Sequence, residues 1–382
     1  MIRIGFTIGY YNEFTGSQQS LLPLMQETNG IEPILISPSD GEAVSRFEQQ
    51  GITTKVLPYP DHLDRFGKKL LEDGIVGKSK TVASLLRYYQ KVIREYRRLD
   101  LDIIYHNDGR SVMLFSIPSS VLGIPAIWYV RGDNPVPVID PLGLILSDTI
   151  LTISDGTKER FNRRLVEKFD DKITTLYTGI NANSFNLSCQ DKNNMESREC
   201  LTIVEVASIH PRKGQDILID AIGHISDELP DYNLILVGSV AEDHEQYGSE
   251  LINLAKELGI REDVTFLGWT DDVEEVLSRA DIFVLPSWSE GLPRSILEAS
   301  AMGVPTIATP AGGTDELVSD GETGIIVPFG DSQALSSAIE RLAKDDEYRE
   351  NMGKSAKKRV EQKFTQETYV NKFEEIVNKM CQ

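Results

Sequence analysis

The chain has 382 residues, enough for two domains at about 100–200 residues each. It is 40% hydrophobic and 26% charged, which excludes a disordered or collagen-like chain, and its net charge of −20 argues against broad nucleic-acid binding, which needs cations to replace phosphate counterions. Three cysteines, Cys189, Cys200 and Cys381, make neither a disulfide framework nor a zinc-ligand pattern, which fits a reducing, cytoplasmic setting.

In chain order, residues 2–9 (IRIGFTIG) read as a first strand rather than the apolar core of a signal peptide. The loop 13–20 (EFTGSQQS) follows, where Gly16 allows close backbone approach and Ser17 stands beside it; the G-x-G-x-x-G dinucleotide spacing is absent. A second strand is expected at 33–37. Residues 65–98 then depart from the acidic average, with ten basic residues (Arg65, Lys68, Lys69, Lys78, Lys80, Arg87, Lys91, Arg94, Arg97, Arg98) against Glu72, Asp73 and Glu95. From Lys80 to Arg98 the period is helical. At about 100° per residue Arg87, Lys91, Arg94 and Arg98 form one stripe, with Val82, Leu85, Leu86, Tyr89, Ile93 and Tyr96 opposite. The stripe reads as a solvated surface or, with Phe66, Leu70 and Leu71 upstream, as an attractor for anionic lipid headgroups or a phosphorylated acceptor.

The D-x-D at Asp100–Asp102 lies where that helix meets a strand at 102–105, so it reads as a boundary rather than a metal-binding loop. His106 and Asn107 follow that strand, either as cleft residues or as structural ones. Residues 111–130 carry no charge, but Pro118, Pro125 and four serines divide them into helix, turn and a strand at 126–130 rather than a membrane span. Arg131 comes next. An arginine cannot serve as a general base but can hold phosphate or carboxylate, or enter a structural ion pair. A strand at 149–153 precedes the polar, aperiodic segment 186–200, the linker between two strand–helix series.

The second series has strands at 201–207, 233–238, 264–267, 282–285, 305–308 and 325–327, with helical periods such as 215–228 and 332–344. Nearly all-apolar strands alternating with helices predict parallel sheets covered on both faces, hence two Rossmann-like domains facing across a cleft. The expected boundaries are 1–185 for the first, completed by a final helix at 364–382 capped by Thr365, and 201–363 for the second. Ligands of such sheets sit beyond the strand carboxyl ends, so the loop after 282–285 carries most weight. There Pro293 suits the first helical position, and Gly303 with Pro305 ends the helix. Its N-terminus, around Gly291, Leu292, Pro293 and Arg294, suits a diphosphate. Glu298, five residues in, can accept from a ribose diol, and Glu290 from a sugar hydroxyl.

Two glutamates eight apart would mean little alone, but here the context is GLPRSILEA with a trailing GVPTIA. This passage resembles the retaining GT-B-fold glycosyltransferases of family 4 (glycosyl transferases group 1), whose signature is that glutamate pair. The resemblance covers nearly the whole chain. It implies that 205–214 (EVASIHPRKG) is a donor-phosphate segment in which Lys213 contacts the diphosphate. Ser208 stands where the family places an arginine, and Arg212 is its substitute. It further implies that 233–239 and 264–271 surround the nucleotide base through Gly238, Gly268 and Trp269, the last a stacking or packing residue. Gly16 and Ser17 would close over the sugar phosphate, although the family's double glycine is missing, and Arg131 replaces a frequent histidine near the reacting sugar.

The expected function is therefore transfer, with retention, of a sugar from a UDP- or GDP-sugar to a glycan, lipid-linked or small-molecule hydroxyl. No metal, permanent cofactor or nucleic acid is implied. Lys213, Arg212, Glu290 and Arg131 would serve the reaction, and His106, Asn107 and Arg131 the acceptor. Polysaccharide or glycolipid synthesis at the inner membrane face is the expected setting. Two other classes stay open: a two-lobed sugar-nucleotide 2-epimerase, and a catalytically idle relative that only binds a sugar nucleotide.

Overall fold

The structure is a computed structural model describing residues 1–12, 14–60, 75–181, 185, 200–241 and 244–381, with the backbone alone at 75–80. The linker expected at 186–200 falls outside the described residues except for Cys200, as does the 65–74 portion of the basic segment.

Two wholly parallel sheets account for the alternation in the sequence. The first holds β1 (Ile2–Thr7), β2 (Ile31–Ser37), β3 (Thr53–Val56), β4 (Ile103–His106), β5 (Ala126–Val130), β6 (Thr149–Thr152) and β7 (Ile173–Thr175), in the order β3-β2-β1-β4-β5-β6-β7. β1 lies in register with β2 from Ile2↔Ile31 to Thr7↔Ile36, and with β4 from Ile4↔Ile103. The second holds β8 (Leu201–Val206), β9 (Tyr232–Val237), β10 (Val264–Gly268), β11 (Ile282–Leu285), β12 (Thr306–Ala308) and β13 (Gly324–Ile326), in the order β10-β9-β8-β11-β12-β13. Each sheet reverses direction once, between β1 and β4 and between β8 and β11. At such a point the two flanking loops diverge and leave a crevice at the strand carboxyl ends.

The chain divides into two compact units. One comprises Met1–Ile153, Thr157–Leu176 and Val370–Gln382, the other Ser154–Gly156 and Tyr177–Tyr369. Central strands are buried throughout, as β5 (AIWYV), β4 and β11 show. In the first unit Ile36, Tyr96, Leu114 and Phe115 form one core and Val112, Trp128, Leu144 and Phe161 another. Gly143 admits the Trp128 indole, since a Cβ there would lie 2.3 Å from the ring. The second unit's core gathers Ile203, Leu218, Ile222, Leu234, Val284, Ile307 and Ile339. The last helix, Gln366–Met380, is capped by Thr365, whose Oγ1 accepts from the Thr368 N–H at 3.1 Å. It buries Phe373 against Phe6 and Tyr105.

The basic helix runs from Ile75 to Leu99. Tyr88, Tyr89, Val92 and Tyr96 face its core, while Arg87, Lys91, Arg94 and Arg98 are exposed. Val82 and Leu86, expected on the apolar side, are instead 54% and 56% exposed. At about 100° per residue they lie roughly 70–110° from the centre of the buried face, so they flank it rather than enter it. Asp102 accepts the Arg3 N–H at 2.8 Å, and Asp100 faces the Arg3 guanidinium at 3.7 Å, so the D-x-D closes a helix–strand junction. The uncharged stretch forms the helix Gly109–Leu122, a turn at Gly123 (φ 69°) and β5. Among the described residues no helix is long and apolar enough to cross a membrane.

Candidate active site

The crevice between β8 and β11 is lined by a connected set of polar contacts. Beyond β8 the chain makes one tight turn, Pro211–Lys213, ended by Gly214 with φ 76°. Glycine is required there twice over. The angle is left-handed, and a Cβ would lie 2.4 Å from the Pro286 carbonyl oxygen, so the turn rests on the start of the loop after β11. The Trp288 N–H donates to the Arg212 carbonyl at 2.8 Å, and Arg212 Nη1 donates to the Ser289 carbonyl at 3.3 Å. These bonds bring Lys213 Nζ to Glu290 Oε1 at 2.5 Å. The two side chains are only 13% and 9% exposed, so the pair sits in a sparsely hydrated recess.

Glu290 is fixed from a second direction. Gly312 packs so tightly on the Glu290 carbonyl that a Cβ would stand 1.8 Å from its oxygen. The Gly313 N–H and Ser154 Oγ both donate to the Gly291 carbonyl, at 2.8 and 3.1 Å, and Thr309 Oγ1 donates to that of Ser287. Pro293 occupies the N-cap rather than the first helical position, because its ψ of 109° is still extended; the helix is Arg294–Ala301. Leu292 is buried, and the first N–H groups of the helix have no carbonyl of their own helix to meet. Glu298 accepts from Arg294 Nε at 2.7 Å and is 14% exposed. Burial raises its carboxyl above the usual range and Arg294 opposes that, with a smaller upward push from Glu274.

A carboxylic acid underlies the cationic turn. Glu205, within β8, is fully buried, and burial lifts it well above the ordinary carboxylate range against the nearby Lys213 charge. Gln215 Nε2 bridges Glu205 Oε1 and the Ser208 carbonyl, both at 3.1 Å. Ser208 itself is exposed. The two loops expected around the base meet directly, the Gly238 N–H donating to the Gly268 carbonyl at 2.8 Å, and Trp269 is 61% exposed beside them. Glu205, Gln215 and Gly312 escaped sequence reasoning. The one visible signal was a carboxylate inside the apolar run LTIVEVA.

The remaining candidates lie in the first unit. Gly16 and Ser17 open the short helix Gly16–Gln19, where Ser17 Oγ donates to the Gln18 side chain at 2.8 Å. His106 and Asn107 end β4 and are fully buried. Thr7 Oγ1 donates to the Tyr105 carbonyl and therefore accepts from His106 Nδ1 at 2.9 Å, which leaves Nε2 unprotonated. Burial lowers the His106 pKa to about 3, so the ring is neutral. Arg131 donates to Asn107 Oδ1 through Nε and Nη2 and to Ser20 Oγ through Nη1, with its guanidinium 4.2 Å from the Tyr129 ring centroid. Among the described residues no group of three or more His, Cys, Asp or Glu side chains is placed to hold a metal.

Comparison with known proteins places the chain. The family described as "Glycosyl transferases group 1" matches residues 190–359. The YtcC protein of Bacillus subtilis (strain 168), which bears a glycosyltransferase name, is 30% identical over 287 residues, 70% of this chain and 67% of that one. N-acetyl-alpha-D-glucosaminyl L-malate synthase of Bacillus anthracis is 33% identical over 174 residues, 46% of this chain; the match spans only 44% of that relative. Among solved structures, Anabaena Alr3699/HepE in complex with UDP superposes with a TM-score of 0.82 at 20% identity, covering 99% of this chain and 100% of that one. With its two parallel α/β sheets, the chain belongs to the glycosyl transferases group 1 family and carries its GT-B fold.

Proposed function

We propose that the protein transfers a sugar from a UDP-sugar to an acceptor hydroxyl with retention of anomeric configuration. The reading rests above all on Lys213 Nζ, held at 2.5 Å from Glu290 Oε1 where the sheet reverses between β8 and β11. In the free protein the ammonium is stored on Glu290. An incoming diphosphate takes it over, assisted by Arg212 and by the N–H groups of Gly291, Leu292 and Arg294. Glu290, released, accepts a hydroxyl of the donor sugar, and Glu298 accepts from the ribose diol. The loops at Gly238 and Gly268 enclose the base. The UDP seen in the Anabaena structure supports this choice of nucleotide.

In this reading the acceptor hydroxyl attacks from the face the nucleotide leaves. The bond to the anomeric carbon forms as the bond to the phosphate oxygen breaks, and the departing phosphate takes the hydroxyl proton. Lys213 stabilises the charge that builds on the diphosphate, so catalysis is positioning plus electrostatics. Glu290, once released, accepts a sugar hydroxyl rather than attacking the anomeric carbon, so this route involves no double displacement. The first unit receives the acceptor beyond the β5 end at Arg131, which Asn107 holds in place; His106 and Asn107, expected as acceptor contacts, are fully buried and serve as support. The capsular polysaccharide glycosyltransferase CapM of Staphylococcus aureus, 28% identical over 251 residues, 63% of this chain and 64% of that one, favours a surface glycan. Titration calorimetry with UDP, followed by transfer assays from UDP-sugars and product anomer analysis, tests the proposal. Absence of UDP binding, or a product of inverted configuration, overturns it.

The exposed stripe of Arg87, Lys91, Arg94 and Arg98 on a helix that also exposes Val82 and Leu86 supports peripheral contact with anionic lipid. Flotation with phosphatidylglycerol-containing vesicles is expected to bring the protein up. Charge reversal at Arg87, Lys91 and Arg94 should abolish that; equal flotation on neutral vesicles refutes it.

A further inference from the structure

The turn that carries Arg212 and Lys213 is only three residues long and leads through Gly214 into the helix Gln215–Ile225. Its conformation depends on what accepts its first N–H groups. The Lys213 N–H is taken by the His210 carbonyl at 2.8 Å, and the Arg212 N–H by His210 Nδ1 at 2.9 Å. His210 therefore caps the turn with its own ring, in the manner of an Asx residue bonding the backbone two positions on. The ring is itself held. Its backbone N–H points to Gln215 Oε1 at 3.4 Å, the residue that also grips Glu205, and its face lies against the His244 ring with centroids 4.2 Å apart.

We propose that His210 is a positioning residue for the diphosphate clamp, acting through a neutral ring whose Nδ1 lone pair fixes the Arg212 N–H and thereby aims Arg212 and Lys213 at the crevice. The proposal rests on the reading of that turn as the donor-phosphate site. An accepting Nδ1 puts the ring proton on Nε2, so no lone pair remains for a metal or for proton abstraction. An imidazolium could not accept the N–H. Burial lowers the pKa of His210, and His244, Arg212 and Lys213 push it the same way, so its surroundings support the capping form.

The geometry prescribes its own control. Asparagine carries an acceptor the same number of bonds from Cα as Nδ1, glutamine carries it one bond further, and alanine has none. His210→Ala and His210→Gln should weaken UDP binding about fivefold, the usual cost of a lost cap. His210→Asn should stay within twofold of the wild type. Amide hydrogen exchange provides a readout free of any assumption about ligand: the Arg212 amide should exchange faster in His210→Ala and stay protected in His210→Asn. If His210→Asn binds UDP as poorly as His210→Ala, or if neither substitution alters Arg212 exchange, the capping role is wrong. A wild-type protein that binds no UDP, yet shows the expected exchange pattern, would leave the cap standing and remove the donor reading instead.

Discussion

Replacing Lys213 is the sharpest test of the site. Lys213→Ala removes the ammonium paired with Glu290 and leaves a 9%-exposed carboxylate facing the place where phosphates would bind. Opposite unit charges about 4 Å apart at an effective dielectric of about 20 attract by about 4 kcal/mol. Partial hydration of a recess whose lysine is 13% exposed reduces this, so a loss of about 2–4 kcal/mol is expected, or about 30- to 700-fold in affinity for UDP. Glu290→Gln should do the opposite. It frees the ammonium from its resting partner, so UDP binds as tightly as before or tighter, while sugar transfer falls because the hydroxyl acceptor has lost its charge. Calorimetry at one temperature and one salt concentration reads both signs, salt being fixed because it screens such interactions. If Lys213→Ala stays within threefold of the wild type, or if Glu290→Gln weakens UDP as much as Lys213→Ala does, the exchange of partners at this pair is refuted.

Three further outcomes follow from features already described. Glu298→Ala should weaken UDP about 10- to 100-fold with little effect on turnover at saturation, since it removes a charged hydrogen-bond acceptor worth about 1.5–3 kcal/mol; an unchanged titration would place the ribose elsewhere. Gly312→Ala forces a Cβ onto the Glu290 carbonyl at a φ of 57°, so melting temperature and transfer should fall together. A variant as stable and active as the wild type would show that the packing is not tight. His106 has a folded-state pKa lowered to about 3, below the unfolded value near 6.5. The unfolded chain thus binds the extra proton between these values, and stability is full above about pH 6.5 and declines toward pH 3. Denaturant titrations of wild type and His106→Asn should diverge over that window, and parallel curves would contradict the assignment.

Much of the fold was legible because buried parallel strands announce themselves. The apolar runs at 126–130 and 282–285 became β5 and β11 with unchanged limits, and the 332–344 period became the helix Ser332–Lys344. Two strands were missed. β3 (TTKV) is a partly exposed edge whose threonines and lysine look like loop, and β7 (ITT) is three residues long. At the candidate site, Glu290 was singled out by its sequence context and Lys213 and Arg212 by the family resemblance, and the fold brings the three together. What holds them was not legible. Gly312 and Gln215 act through carbonyl packing and a bridging amide, and such contacts depend on a fold that brings loops from different strands together. The swing of Val82 and Leu86 to the solvent shows the same limit, since a helical wheel gives angles but not which arc the neighbouring elements cover.

The self-paired recess has a consequence for selectivity and turnover. With its cation already neutralised by an internal carboxylate, the crevice offers little net attraction to a singly charged anion, which would have to displace a partner 2.5 Å away for an equivalent gain. A pyrophosphoryl group, bearing more than one negative charge, can make that exchange favourable. In the proposed reaction Glu290 would be on hand to recapture the lysine as the nucleotide departs, so that expulsion of the product would not strand a bare ammonium in a poorly hydrated pocket.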